Sequence, residues 1–285
     1  MTDRTWLNTK GKPTWCPGCG NFGIQASLKK AILDQGIEAH RVALVSGIGC
    51  SGKMPHWINV NGYHGLHGRV LPAAAGVKFA NHALTVIAEG GDGDGYSEGL
   101  GHFLHACRRN MDLTYVVHNN GVFGLTTGQT SPTGDKGFVS STTPMGTLED
   151  PFHPLALAVT GGATFVARGF SGDIPHLAGL IGRAINHPGF AFVDVLQVCV
   201  SFNPSKSYAW YRDRIEKLED LGHDPTDREA ALTAAFGSGD RIPLGVFYEV
   251  PSVSHEAGLG LSTTQPLAER DVSNVDVSNL MKNFV

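Results

Sequence analysis

Positive charge is scarce in this sequence. Its 22 Lys and Arg against 26 Asp and Glu leave a net charge of −4, and only 17% of the 285 residues are charged. A nucleic-acid partner needs a basic footprint, and this composition supplies none. Long apolar runs are missing too: nothing approaches the ~20 residues of a membrane-spanning helix. The opening Met1-Thr2-Asp3-Arg4-Thr5-Trp6 lacks the pattern of a signal peptide. These absences predict a cytoplasmic protein with neither membrane nor nucleic-acid partners. Internal repeats and low-complexity tracts are lacking as well. Cysteine is sparse and odd in number, five in all, which points away from a disulfide framework and towards metal or redox chemistry. Glycine, by contrast, is abundant at 37 residues, as expected of an α/β fold with tight turns around a ligand.

Hydrophobic patterning alternates strand and helix from residue 20 to 198. Helical spacing over Asn21–Gln35 is followed by strands at Arg41–Ser46 and Leu84–Ala88, with a small-residue helix at Pro72–His82 between them. A helix at Glu98–Arg109 places Leu100, Phe103, Leu104 and Cys107 on one face, and a strand follows at Leu113–Val117. Further elements are a helix from Asp150 to Val159, a strand at Thr164–Arg168, a helix at Ile174–Asn186 and a strand at Phe190–Val198. This order predicts an α/β doubly wound parallel sheet over residues 1–202. Asn61–Arg69 and Thr126–Gly146 read as loops. Beyond Phe202 the pattern weakens: a short helix with Thr226 as its cap and a strand at Ile242–Val250 stand in polar surroundings. Residues 203–285 are expected to be an extension packing on a partner.

The stretch from Glu89 to Gln129 carries the chemistry. A strand, the turn Gly90-Gly91-Asp92-Gly93-Asp94-Gly95, a helix and a strand ending in Asn119-Asn120 make a parallel βαβ unit. Both strand ends then open on the same sheet edge, which sets Asp92 beside Asn120. A carboxylate and an amide oxygen next to a glycine turn and a helix N-terminus suit Mg²⁺ carrying a diphosphate. Asp92-x-Asp94 also begins like a calcium loop, but the Gly and Glu such a loop needs at its sixth and twelfth positions are Ser97 and Phe103. Gly47-Ile48-Gly49-Cys50-Ser51-Gly52 has the dinucleotide spacing, yet Pro55 interrupts the helix that should follow. No acidic residue stands about 20 positions on.

Four cysteines can meet at that same edge. Cys16 and Cys19 frame Cys-Pro-Gly-Cys, Cys50 lies in the turn after an early strand, and Cys199 at the end of a late one. Four thiolates suit either a [4Fe–4S] cluster or structural zinc, and spacing alone does not choose between them. Cys107, on an apolar helix face, reads as a buried free thiol.

Gly91-Asp92-Gly93 followed by Asn120 resembles the diphosphate-and-metal motif of thiamine diphosphate enzymes. The likeness sharpens with Trp15-Cys-Pro-Gly-Cys-Gly20, Gly47-Ile-Gly-Cys-Ser51, His64-Gly-Leu-His-Gly-Arg69, Asn119-Asn120, Gly128-Gln129 and Cys199-Val-Ser-Phe-Asn203 in this order. Together they resemble the β subunit of 2-oxoacid:ferredoxin oxidoreductases over nearly the whole chain. The resemblance implies thiamine diphosphate, Mg²⁺ and one [4Fe–4S] cluster. It assigns Asp92, Asn120 and the carbonyl of Val122 to Mg²⁺, and Cys16, Cys19, Cys50 and Cys199 to the cluster. It assigns cofactor contacts to Ile48, Gly49, Cys50, Ser51, His67, Gly93, Asp94, Gly124 and Leu125. Asp94 is expected to bond backbone N–H groups or the diphosphate rather than the metal. No ferredoxin-like cysteine run is present, so one cluster is expected.

The implied reaction is coenzyme A-dependent oxidative decarboxylation of a 2-oxoacid, with electrons passed singly through the cluster to ferredoxin. His67 is a candidate to contact the cofactor or donate to a developing alkoxide. Lys53 is a candidate for the substrate carboxylate or for reduced-cluster charge. Lys53, His64 and Arg69 offer cations for a second carboxylate, which favours 2-oxoglutarate over pyruvate or branched-chain oxoacids. The chain has no second α/β domain to supply the Glu that activates the cofactor, so an α subunit is expected, in an (αβ)₂ assembly. Two other readings stay open here: a redox-inert decarboxylase or carboligase subunit with zinc on the cysteines, and an electron-carrying module without an active site.

Overall fold

The computed structural model describes residues 4–237, 240–261 and 265–284; Met1, Thr2 and Asp3, where the signal-peptide reading began, lie outside the described residues. In chain order the strands are β1 (Val42–Ser46), β2 (Asn61–His64), β3 (Thr85–Gly91), β4 (Leu113–Asn119), β5 (Val122–Phe123), β6 (Gln129–Thr130), β7 (Phe165–Phe170), β8 (Phe190–Leu196), β9 (Ile215–Lys217) and β10 (Ile242–Glu249). Eight of them form one sheet in the order β2-β1-β3-β4-β8-β7-β10-β9, while β5 and β6 pair as a short antiparallel hairpin. Every neighbouring pair in the large sheet is parallel except β7 with β10.

The helices are α1 (Asn21–Asp34), α2 (Val70–Ala80), α3 (Leu100–Arg109), α4 (Pro154–Gly161), α5 (Ile174–Asn186), α6 (Tyr208–Arg212) and α7 (Arg228–Phe236), followed by the four-residue α8 (His255–Gly258) and α9 (Ser278–Met281). Side chains of a strand alternate between faces. Val42, Leu44 and Val193 therefore point to one side, where Ile24, Leu28 and Ile32 of α1 and Leu177 and Ile181 of α5 cover them. Val45, Tyr115 and Phe192 point to the other, against Ala74, Phe103, Leu155 and Ala231 of α2, α3, α4 and α7. Cys107 is fully buried in that second layer. Helices on both faces explain why β4 and β8 are buried at every position and are mostly apolar, with Thr114, His118, Asn119 and Asp194 as the buried polar exceptions.

Several expectations are corrected. Asn61–His64, read as loop, is an edge strand beside β1; its four residues are all exposed, so no alternation marked it. The parallel sheet expected over residues 1–202 is present, and β10, from beyond that range, adds an antiparallel strand along β7. Residues beyond 203 divide: Leu218, Ala231 and Phe247 complete the core, whereas 270–284 are exposed throughout. The cap of α7 is Asp227, whose carboxylate accepts the N–H groups of Glu229 and Ala230; Thr226 is turned to Asp224 instead. The helix expected from Glu98 is preceded by a π turn at Asp94–Glu98, and α4 begins at Pro154, a residue suited to a first helical turn. Among the described residues no helix is long and apolar enough to cross a membrane.

The chain places β2 on one side of β1 and β3 on the other. Loops beyond strand ends diverge at such a reversal, opening the crevice where α/β sheets hold their ligands.

Candidate cofactor cleft and thiol cavity

Beyond β1, the Ser46 hydroxyl donates to the Gly52 carbonyl (2.8 Å) and folds Gly47–Gly52 into a compact turn. The end of β3 delivers Gly91–Asp94, the end of β4 Asn120, and the end of β8 Gln197. With Ile48–Ser51, His67, His118 and Val122–Thr126 these residues line one cleft.

Asp92 is 2% exposed. Its Oδ2 accepts the Gly121 N–H (2.9 Å) and the hydroxyls of Thr133 (2.8 Å) and Ser131. Burial pushes this carboxyl above its ordinary range, and the groups that oppose the rise are hydroxyls and backbone N–H rather than cations. Asn120 donates from Nδ2 to Gln197 Oε1 (2.5 Å), while its Oδ1 accepts the Val122 N–H (3.0 Å). A buried carboxylate and a carboxamide oxygen are hard donors of the kind Mg²⁺ takes. Ser51 Oγ is buried without a partner, which leaves a hydroxyl donor for a phosphate oxygen. The residues present therefore fit a metal-held diphosphate.

Asp94 ties two loops together. Its Oδ1 accepts the N–H groups of Ile48 (2.9 Å) and Gly68 (2.8 Å). Burial raises its pKa against those donors and against the nearby His67. Phe123 closes the cleft from the side of the β5–β6 hairpin: a Cβ on Gly93 would lie 2.4 Å from its ring. Glycine at 93 is what lets the ring seat on the turn.

The thiols of Cys16, Cys19, Cys50 and Cys199 line a second cavity of about 200 Å³, together with Thr14, Trp15, Lys53 and Phe202. The Cys19 N–H donates to the Cys16 carbonyl (3.0 Å), a turn that uses Gly18 at φ +82°. The Trp15 indole N–H donates to the Cys50 carbonyl (2.7 Å). A Cβ on Gly124 would lie 3.6 Å from Cys50 Sγ and 3.9 Å from Cys199 Sγ, so both sulfurs stand round one point of the hairpin backbone. Burial pushes the Cys19 thiol up to about 12, with the other three cysteines adding to the rise. Cys50 is raised by burial too, and Lys53 pulls it the other way. The positive charge of a metal centre would offset that burial for thiolates at Cys19 and Cys50. Among the described residues no three His, Cys, Asp or Glu side chains are gathered as they would be round one metal ion. Four thiols round one cavity are a donor set that fits a [4Fe–4S] cluster or a zinc ion.

The two spaces are contiguous: Cys50, Asn120, Gly124, Leu125 and Gln197 line both. Of the other candidates from sequence, His67 lies in the cleft with Nδ1 3.2 Å from Asp94 and 3.3 Å from Glu98, but aligned with neither. Lys53 lines the thiol cavity rather than the cleft, and its Nζ reaches Thr14 Oγ1 (3.4 Å). His64 and Arg69 do not form a cationic pocket. Strand β2 sets His64 against His56 (2.9 Å), and the Arg69 guanidinium donates to the carbonyls of Gly68 and Glu98. Residues not anticipated from sequence include Ser131 and Thr133, supplied by the long polar loop. His118 is another, held between Asn21 (2.7 Å) and Glu89. Gln197, two positions before Cys199, carried no motif of its own.

Residues 47–195 match the family described as thiamine pyrophosphate enzyme, C-terminal TPP binding domain. Residues 199–259 match the family described as the C-terminal part of the pyruvate ferredoxin oxidoreductase beta subunit. The chain is 45% identical to the 2-oxoacid:ferredoxin oxidoreductase subunit beta of Saccharolobus solfataricus, over 92% of this chain and 88% of that one. It is 42% identical to the 2-oxoglutarate synthase subunit KorB of Archaeoglobus fulgidus, over 78% and 85% of the two chains. A solved 2-oxoglutarate:ferredoxin oxidoreductase from Magnetococcus marinus, with 2-oxoglutarate, coenzyme A and succinyl-CoA bound, superposes with a TM-score of 0.91 at 37% identity, covering 99% of this chain and 96% of that chain.

Proposed function

The chain belongs to the β subunits of the 2-oxoacid:ferredoxin oxidoreductases, and from that premise we propose that it holds thiamine diphosphate with Mg²⁺ in the cleft and one [4Fe–4S] cluster in the thiol cavity. Asp92, Asn120 and the Val122 carbonyl hold the Mg²⁺. Ile48, Gly49, Cys50, Ser51, His67, Gly93, Asp94, Gly124 and Leu125 surround the cofactor, and Cys16, Cys19, Cys50 and Cys199 ligate the iron. The observation that carries the reading is the shared wall between cleft and cavity, with Cys50 and Gly124 facing both.

When bound, thiamine diphosphate supplies the electron sink for decarboxylation and the cluster the one-electron exit. The chain's own residues supply position. The Gly47–Gly52 turn and Asp94 fix the floor, Phe123 and Leu125 form a wall, and Ser131 and Thr133 hold the Asp92 carboxylate in one orientation. His67 contacts the cofactor or donates to a developing oxyanion, and Lys53, beside the thiols, offsets charge that accumulates there on reduction.

The substrate is 2-oxoglutarate, converted with coenzyme A to succinyl-CoA and CO₂, with ferredoxin as acceptor. The likeness to the Magnetococcus marinus enzyme, whose structure holds 2-oxoglutarate, coenzyme A and succinyl-CoA, supports that choice over pyruvate and branched-chain oxoacids. Since His64 and Arg69 are committed elsewhere, the distal carboxylate is met by the α subunit, which also brings the activating Glu. The working form is a cytoplasmic (αβ)₂ assembly, in which exposed segments beyond residue 250 pack on the partner.

The test is to express the chain with its α subunit and measure viologen reduction with each 2-oxoacid plus coenzyme A. The reading expects turnover that needs both subunits and is fastest with 2-oxoglutarate. Turnover by the isolated chain, or none by the loaded pair with any oxoacid, contradicts it.

A further inference from the structure

Gln197 is the one side chain that bonds to both candidate metal sites among the described residues. It is 2% exposed, and its backbone N–H donates to the Asn119 carbonyl (2.8 Å), which registers the end of β8 against the end of β4. Its Nε2 donates to the Val198 carbonyl (2.8 Å) and to Cys19 Sγ (3.3 Å). Both N–H groups are thereby used, so Oε1 faces the other way and accepts from Asn120 Nδ2 (2.5 Å). The order fixes a polarity. With its NH₂ held by Gln197, Asn120 turns Oδ1 the other way, where it accepts the Val122 N–H (3.0 Å) and is the atom proposed for Mg²⁺. A buried carboxamide left unpinned can present either end to a cation, and only the oxygen binds it.

We infer that Gln197 is a positioning residue for both centres: it orients Asn120 for Mg²⁺ and donates a hydrogen bond to the Cys19 thiolate of the cluster. The inference rests on the functional reading above. Hydrogen bonds to cluster sulfurs favour the reduced form, because they stabilise the added negative charge. Partners that orient metal ligands typically carry about 10- to 100-fold in metal affinity. Among the hydrogen bonds of the described residues Gln197 meets neither Asp92 nor any cysteine other than Cys19, so its direct contacts to proposed ligands are Asn120 and Cys19.

The experiment uses the complete complex with the α subunit, purified anaerobically. Gln197→Leu removes donor and acceptor together. It is expected to shift the cluster's reduction equilibrium towards the oxidised form by about tenfold, which is 59 mV for one electron, read by an EPR-monitored redox titration. It is also expected to weaken Mg²⁺ binding in the presence of thiamine diphosphate by about 10- to 100-fold. Gln197→Glu keeps an oxygen for Asn120 and replaces the N–H that faces sulfur, so Mg²⁺ affinity stays near wild type while the potential falls. A Gln197→Leu complex with full iron content and an unmoved potential overturns the inference, as does equal loss of Mg²⁺ affinity in both variants. The wild-type complex provides a check that needs no variant. Side-chain ¹⁵N labelling of glutamine should give a nitrogen hyperfine coupling to the reduced cluster, and its absence overturns the hydrogen bond to Cys19. Wild-type complex without iron or thiamine diphosphate defeats the functional reading and this inference together. A loaded wild type with an indifferent Gln197→Leu defeats this inference alone.

Discussion

The Asp94 carboxylate occupies the space that a side chain at Gly47 would need: a Cβ there would lie 2.0 Å from Oδ2. The same carboxylate takes the N–H groups of Ile48 and Gly68, so one buried anion sets the distance between the turn after β1 and the loop before α2. Gly47→Ala is expected to force these loops apart. Overpacking of this kind costs about 1–3 kcal/mol. The loss should appear as a lower unfolding midpoint of the complex and weaker thiamine diphosphate binding by fluorescence titration. An alanine variant that binds the cofactor as wild type does would show that the contact is slack.

Asp92 is the buried carboxylate on which the metal assignment turns. Its Oδ2 is fully used by Gly121, Ser131 and Thr133, so Oδ1 is the atom proposed for Mg²⁺. Asp92→Asn keeps the shape and removes the charge. Mg²⁺-dependent retention of thiamine diphosphate should fall by at least about 10-fold, with iron content unchanged. Equilibrium dialysis with metal and iron analysis separates the two.

Cys199→Ser removes one sulfur that stands by Gly124 and leaves Asp92 and Asn120 untouched. Iron and acid-labile sulfide should fall together, and viologen reduction should be lost. Thiamine diphosphate and Mg²⁺ should still bind. Zinc in the wild-type protein, with no labile sulfide, would return the cysteines to a structural role.

Far from the site, His187 gives the fold a pH dependence. It is 6% exposed, and its Nε2 lies 2.7 Å from Thr164 Oγ1, whose own proton goes to Asn110. The ring nitrogen is therefore the donor. Burial holds the imidazole below its ordinary value of 6.5, against the pull of Glu249 and Asp112. As pH falls the unfolded chain takes up the proton first. The neutral ring's contribution is complete above pH 6.5 and is lost as pH falls towards the lower native value. Denaturant titrations below pH 6.5 should show this slope, and His187→Gln should flatten it.

How far the sequence foretold the structure depended on what kind of signal each part left. The parallel strands and their helices were legible because two-sided burial forces largely apolar stretches, as in β4 and β8. Asp92 and Asn120 could be set side by side from topology alone, since a right-handed βαβ unit opens both strand ends on one edge. Strand β2 left no pattern because all its residues are exposed. The reversal of β10 left none either, because direction is not written in periodicity. Ser131, Thr133 and Gln197 were invisible for another reason. They act by single hydrogen bonds across long separations in sequence, and a lone hydroxyl or amide carries no spacing to read. Arg69 and His64 misled in the opposite way: their charge was legible, but their commitment to Glu98 and His56 was not.

Cleft and cavity share Cys50 and Gly124 in their walls, and on the proposed function electrons would leave the substrate there. The most direct test is stopped-flow absorbance of the anaerobic complex at roughly 400 nm, where iron–sulfur chromophores absorb, on mixing with 2-oxoglutarate before any ferredoxin is added. The account predicts rapid bleaching when thiamine diphosphate and Mg²⁺ are bound and none when they are omitted. An iron-loaded complex that binds cofactor and substrate yet keeps its full absorbance would contradict it.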